Sequence, residues 1–229
     1  MAFFTASLTG CMQDEVNPST TPTTPRATIN YSAWQLQEPN GATISGSRLA
    51  SGYSDQYFYK ASDGSQVFYA PRTGTTTPNS NYTRTEFRQN SNWSLSGTHT
   101  LSASVKVVST PGTVCVGQIH IGTGSPASTK PTCELYYRPS GEILIGVENA
   151  PTGGQTLHSI TSVPMNTKWN YTIKTVGSKL SVTVNSKTVS YTLNSGFKNY
   201  THYFKAGAYN QSTGSGASKV QFYTISIIN

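Results

Sequence analysis

The 229-residue chain is short of charge: Asp, Glu, Lys and Arg make up 11% of it, and only nine residues are acidic. That scarcity argues against a helical cytosolic enzyme built from Glu, Lys, Leu and Ala. No stretch repeats apolar residues at the 3.6-residue period of a helix, and no internal repeat occurs. No run approaches the ~20 apolar residues of a membrane span. Cysteine occurs three times, without the Cys/His spacing of a zinc site. Few acids also means few reactions. Glycoside hydrolysis needs two carboxyl groups flanking the bond. Here only Glu86, Glu134, Glu142 and Glu148 fall in strand-like segments, and no E-x-D-x-x-E run exists. Three Asp and no G-x-S-x-G elbow leave a Ser-His-Asp hydrolase equally unsupported.

What the chain does have is Ser, Thr, Asn, Gly and 14 Tyr, a mix suited to an all-β secreted protein with a hydroxyl- and amide-rich surface. The net charge of +7 favours polyanionic partners. The 16 basic residues form no run or arm of the kind a nucleic-acid binder concentrates. On charge alone nucleic acid and an acidic polysaccharide are both candidates; the motifs below favour the polysaccharide over nucleic acid, and the chain is expected to act as a monomer.

Residues 3-FFTASLTGC-11 are apolar and small and resemble a bacterial lipobox, although the usual basic leader is missing. On that reading Cys11 carries a lipid; a stray cysteine in an unstructured start is the alternative. Residues 17-NPSTTPTTPRAT-28 read as an extended Pro/Thr tether. The chain thus divides into a signal or lipobox remnant (1–11), a tether (12–28) and a folded domain (29–229). This implies a secreted, periplasmic or outer-surface bacterial lipoprotein that meets a membrane only through its lipid. Cys115 and Cys133 lie on neighbouring strand-like runs at apparent core-facing parity. They are a candidate cross-strand disulfide, with two buried free thiols as the alternative.

Beyond residue 29, period-2 alternation dominates. Leu101, Ala103, Val105 and Val107 form one apolar face, and Trp169, Tyr171 and Ile173 another. Leu180, Val182 and Val184 lead through Asn185-Ser186 to Val189, Tyr191 and Leu193, a hairpin signature. Many such strands joined by Gly/Ser/Thr/Asn loops predict an all-β fold, a two-sheet antiparallel sandwich or β-jelly roll with a substrate groove on the concave sheet.

Three segments carry a polar row where a strand would ordinarily be bland. In 84-RTEFR-88 the alternation sends Arg84, Glu86 and Arg88 to one side and Thr85 and Phe87 to the other. In 118-QIH-120 it pairs Gln118 with His120. In 203-YFKAGAYNQ-211 it aligns Tyr203, Lys205, Gly207, Tyr209 and Gln211. Each row alone reads as a solvated ladder or amphipathic packing, whereas together they suggest one lined groove. Arg, amide, His, Lys and Tyr suit β-elimination on a uronic acid. Arg and amide donors neutralise the carboxylate and stabilise the charge that develops when the C5 proton leaves. A neutral His or a Tyr takes that proton, and Tyr protonates the departing O4. A Tyr base would need its pKa lowered from ~10 by cationic neighbours, here Lys205 and the arginines.

These three motifs, in this order, resemble the alginate lyases of polysaccharide lyase family 7. Trp34-Gln35-Leu36 and 67-VFYAPRTGTTTPNSNYTRTEFR-88 add to the likeness, which spans residues 29–229. The resemblance implies a jelly roll with a cationic groove that cleaves 1,4-linked mannuronate and guluronate chains by β-elimination, without a metal. It implies that Gln118 and an arginine, Arg84 in preference to Arg88, neutralise the carboxylate. It makes His120 the base for guluronate, and Tyr209 the acid, or both base and acid for mannuronate. Lys205, Arg88 and Gln211, with Glu86 and Tyr203 of the same rows, would bind and orient, and Gly207 would let a sugar approach. Ile119 between Gln and His implies guluronate or mixed blocks. Loops 73–83 and 121–131 are long enough to serve as lids. Two other readings compete: lyase action on another polyuronate such as glucuronan, and a non-catalytic alginate-binding module.

Overall fold

A computed structural model of the chain describes Met1 and residues 29–78, 80–122, 127 and 130–229. The tether and Cys11 lie outside the described residues, as does most of 123–129. The first strands are β1 (Trp34–Gln37), β2 (Thr43–Ile44), β3 (Phe58–Lys60), β4 (Gln66–Pro71), β5 (Arg84–Gln89), β6 (Trp93–Ser94), β7 (Thr98–Ser109) and β8 (Val114–Ile121). They are followed by β9 (Pro131–Tyr137), β10 (Glu142–Glu148), β11 (Gln155–Ser162), β12 (Trp169–Val176), β13 (Lys179–Val184), β14 (Lys187–Thr192), β15 (Thr201–Asn210) and β16 (Ala217–Ile228). One five-residue helix, Gly46–Ala50, is capped by the Ser45 hydroxyl.

The strands form two antiparallel sheets, the two-sheet sandwich that the alternation predicts. One runs β11-β10-β9-β8-β15-β5-β1-β2, with β6 added beside β15; the other runs β14-β13-β12-β7-β16-β4-β3. The predicted hairpin is β13–β14, where Val184 pairs with Lys187 across two residues and Asn185 takes φ 51°. That left-handed first turn residue matches the twist of the flanking strands.

Between the sheets, Trp169, Tyr171 and Ile173 of β12 and Leu101, Val105 and Val107 of β7 are buried. The residues alternating with them turn outward. Phe68 of β4 and Phe87 of β5 meet edge to face at 4.8 Å, and Trp34 stacks on Phe87 at 5.5 Å. Hydrogen bonds cross the gap, among them Tyr171 Oη donating to the Val116 carbonyl (2.9 Å), Thr85 Oγ1 to that of Tyr69 (2.6 Å) and Asn210 Nδ2 to that of Ala70 (3.1 Å). Phe87 thus anchors the back of the strand whose other face carries Arg84, Glu86 and Arg88. Phe87→Ala is expected to cost about 3–5 kcal/mol of stability, as truncating a buried aromatic does, read as a lowered urea midpoint.

Three irregularities interrupt the sheet beneath the site. On β8 the pairing with β9 shifts between Cys115 and Gly117 and again between Ile119 and His120, and on β15 the pairing with β8 shifts between Ala206 and Tyr209. The β8 bulge between Cys115 and Gly117 decides between the two readings of the cysteines, against the candidate disulfide and for buried free thiols. Cys115 stands opposite Tyr136 and Cys133 opposite Ile119. Cys133 points into the main core, whereas Cys115 joins Tyr136 and Leu144 on the other face of the sheet. Both are free, buried thiols. The extra residue reverses parity along β8, so the shared core-facing parity expected from the sequence does not hold. Gly207 also differs from expectation. A Cβ there would lie 2.5 Å from the Thr85 carbonyl oxygen and 2.6 Å from the Glu86 Cα. The glycine answers to the close approach of β5 rather than to a sugar.

Candidate active site

The three polar rows do come together. β15 pairs with β5 on one side and β8 on the other, setting Lys205 opposite Arg88 and Gln118, and Tyr209 opposite Arg84 and Cys115. Tyr203 lies opposite His120. The outcome is a cleft of about 350 Å³ whose walls include Arg84, Gln118, His120, Tyr203, Lys205, Tyr209 and Gln211. Thr77, Pro78 and Ser80 from loop 73–83 close one side and Pro131 adds to the wall.

Glu86 is fully buried at the centre of this face. Its carboxylate accepts from Lys205 Nζ (2.6 Å), Arg84 Nη1 (3.2 Å) and Gln118 Nε2. Such burial removes Glu86 from direct contact with a ligand. It positions three donors instead, and its charge offsets two cations that would otherwise repel. Lys205 is 3% exposed, and burial, aided by Arg84, lowers its ammonium pKa to about 8 against the pull of Glu86.

His120 stacks on Tyr203 with ring centroids 5.2 Å apart. Its Nδ1 lies 2.9 Å from the Ile121 carbonyl oxygen and 3.2 Å from Tyr203 Oη. A carbonyl can only accept, so neutral His120 carries its proton on Nδ1 and keeps the Nε2 lone pair free. Burial first, then Lys205, Arg84 and Arg88, lower its pKa to about 3. Burial depresses a histidine because it penalises the charged form. The ring is therefore an unprotonated acceptor throughout the neutral range.

Tyr209 Oη shares a 2.8 Å hydrogen bond with Ser80 Oγ, and the Arg84 guanidinium lies 3.9 Å from its ring centroid. Arg84 and Ser80 favour the phenolate, as the cationic neighbours were expected to do. Burial outweighs them, Glu134 and Glu86 act in the same sense, and the phenol pKa rises above its ordinary value. Tyr209 is thus held protonated, as a proton donor requires.

Arg88 turns aside: its guanidinium donates to the Gln89 and Asn90 carbonyls and to Asn92 Oδ1 (3.0 Å), 4.1 Å from the Tyr203 ring centroid. Arg84 is the arginine that lines the cleft. Gln211 Nε2 donates to Glu134 Oε1 (2.9 Å), whose other oxygen accepts from Tyr136 Oη (2.6 Å) and Gln155 Nε2 (3.1 Å). Burial raises the Glu134 pKa.

Glu134 and Ser80 escaped the sequence reading. In 131-PTCELYY-137 the alternation does set Glu134 and Tyr136 against Cys133, Leu135 and Tyr137, so the period-2 argument could have reached Glu134. Ser80 sits in a loop without period, and no local signal marks it. Among the described residues no group of three or more His, Cys, Asp and Glu is arranged to hold a metal.

The family model for alginate lyase matches residues 29–229. Alginate lyase A1-II′, a member of polysaccharide lyase family 7, is 33% identical over 87% of this chain and 96% of its own, with a TM-score of 0.81. Alginate lyase PA1167 from Pseudomonas aeruginosa is 27% identical over 88% of this chain and 100% of its own, with a TM-score of 0.80. The alginate lyase from Klebsiella pneumoniae shares the fold at 22% identity, covering 88% of this chain and 96% of its own, with a TM-score of 0.76. No curated protein matches the chain. With three polar rows joined in one cleft on a jelly roll and the likeness running from residue 29 to residue 229, the chain belongs to the alginate lyases of polysaccharide lyase family 7.

Proposed function

We propose that the protein cleaves the 1,4-glycosidic bonds of alginate by β-elimination, leaves 4,5-unsaturated ends, and prefers guluronate or mixed blocks. The observation that carries this reading is one cleft holding a tautomer-fixed neutral His120, a protonated Tyr209, and the Arg84–Glu86–Gln118–Lys205 cluster. The substrate carboxylate sits against Arg84 and Gln118, which stabilise the charge spreading onto it. His120 Nε2 takes the C5 proton, the C5–H electrons form the C4=C5 bond, and the C4–O4 bond breaks. Tyr209 gives its proton to O4. The guluronate preference draws support from a substituted form of A1-II′ solved with the substrate GGMG and another solved with the product GGG. Ile119 is fully buried behind the row, so any influence it has on block choice passes through the placement of Gln118 and His120.

Ultraviolet absorbance of the new C4=C5 bond tests the reading on polyguluronate, polymannuronate, mixed blocks and glucuronan in parallel. Product from guluronate-containing chains supports it. Product from glucuronan alone would reassign the sugar, and retention on alginate without unsaturated product would make the protein a binding module. The pH profile is a second check. With His120 near 3, kcat/KM should show no inflection at histidine's usual ~6.5. As pH rises through about 8, Lys205 loses its proton and the cleft a cation, so kcat/KM should fall. We further propose that Cys11 is lipidated, tested by metabolic labelling with a fatty acid in the wild type and in Cys11→Ser.

A further inference from the structure

The seven-stranded sheet turns its outer face away from the cleft. None of its seven strands contains Asp or Glu, whereas Lys60, Lys106, Lys174, Lys179, Lys187 and Lys219 all lie in them. Lys106, Lys174, Lys179 and Lys219 alternate with core residues and so stand on the outer face, joined by Lys168 just before β12. Half-buried tyrosines lie among them. The Lys168 ammonium is 4.2 Å and that of Lys106 5.8 Å from the Tyr223 ring centroid, and Lys219 is 5.7 Å from that of Tyr59. Lys219 also pairs in register with Tyr69. The one carboxylate here is Asp63 in the β3–β4 turn, which lies 3.8 Å from Lys106 and accepts from Tyr223 Oη at 2.9 Å. Among the described residues no carboxylate forms an ion pair with Lys168, Lys174, Lys179 or Lys219.

A row of ammonium groups with ring faces between them, and Asp63 beside Lys106 as its carboxylate, has an electrostatic and a shape requirement. Unpaired cations attract a chain carrying repeated negative charges. Tyrosine rings give flat apolar platforms with polar tips, suited to a sugar ring more than to a compact ion. Lysine, a mobile point charge on a long stem, also fits loose, register-free contact when exposed, whereas the cleft fixes its cations, Arg84 and Lys205, by buried bonds to Glu86. We propose that this lysine–tyrosine face is a second, non-catalytic binding surface for uronate polymer, which keeps a long chain on the protein while the cleft acts on another stretch of it. The identity of the polymer rests on the proposed function; the site itself is separate from the cleft.

The test compares the full chain with a Lys106→Gln/Lys168→Gln/Lys219→Gln variant. Cleavage of short oligomers that fill only the cleft should be unchanged, while KM for long alginate should rise about tenfold, the sum of three surface charge contacts. The same substitutions placed in a cleavage-silent His120→Asn/Tyr209→Phe background should weaken retention of long alginate by a similar factor. The corresponding triple arginine variant should retain it. Lys168→Gln alone, an exposed site, should give about a twofold loss and serves if the triple variant does not fold. Unchanged retention of long alginate would overturn the proposal. It would also be overturned if duplex DNA or phosphatidylglycerol vesicles bound through these lysines more tightly than alginate of equal charge. A protein that yields no unsaturated product from any polyuronate, yet loses alginate retention with these lysines, would refute the proposed reaction and leave this surface standing.

Discussion

Tyr209→Phe is expected to abolish nearly all formation of unsaturated product, a loss in kcat of roughly 10²- to 10⁴-fold for removing a general acid. The substitution deletes one oxygen. The ring keeps its place against Cys115, Tyr136 and Leu144 and beneath the Arg84 guanidinium, so folding and substrate affinity should change little. Ser80 loses a partner at the mouth of the cleft, where water can replace it. A KM near that of the wild type with a collapsed kcat is the signature of a group used only in the transition state. If the variant retains more than about a tenth of wild-type turnover, O4 takes its proton from elsewhere.

Glu86→Ala is expected to have the second large effect, on stability as well as rate. It removes the one carboxylate shared by Arg84, Lys205 and Gln118, all of them buried. Deleting one side of a buried ion pair costs about 3–5 kcal/mol, because the charges left behind stay desolvated. Lys205 should respond in a defined direction. Glu86 holds its ammonium pKa up against burial and Arg84, so without Glu86 that pKa falls below about 8. Lys205 then becomes neutral at lower pH, and the alkaline limb of kcat/KM shifts to lower pH in Glu86→Gln, the variant that keeps the shape. Urea denaturation and a pH–rate profile read the two effects separately. An unshifted limb would mean that Lys205 does not set it.

The sandwich and its groove were legible because period 2 is local. In 84-RTEFR-88 the side that carries Phe87 and the side that carries Glu86 are distinguished by alternation alone, and the structure buries Phe87 between the sheets while gathering Glu86 with the polar rows. The same logic failed at Cys115, where one inserted residue reverses the parity of β8, marked in the sequence only by Gly117 and by the change of apolar phase from Val114 and Val116 to Ile119 and Ile121. Electrostatic outcomes were harder still. The sequence places cations near Tyr209, but only coordinates weigh them against burial, and burial wins. The lysines of the outer sheet look scattered along the chain. They converge because β7, β16, β4 and β3 are neighbours in an order the chain does not follow.

β15 supplies Tyr203, Lys205 and Tyr209 and is hydrogen-bonded along both edges, to β5 and β6 on one side and β8 on the other. Its amide protons should therefore be among the slowest to exchange with solvent, released only when the whole sandwich opens. Tyr203, Lys205 and Tyr209 thus ride on a strand held along both edges, so thermal wandering of that strand should have little part in admitting a polymer. The expectation is that the segment bearing Thr77 and Ser80, whose side chains lie over Arg84 and Tyr209, is the part that moves to admit it. Faster deuterium uptake there than in β15, slowed when oligosaccharide is bound, would separate the moving part of the enzyme from the part that does chemistry.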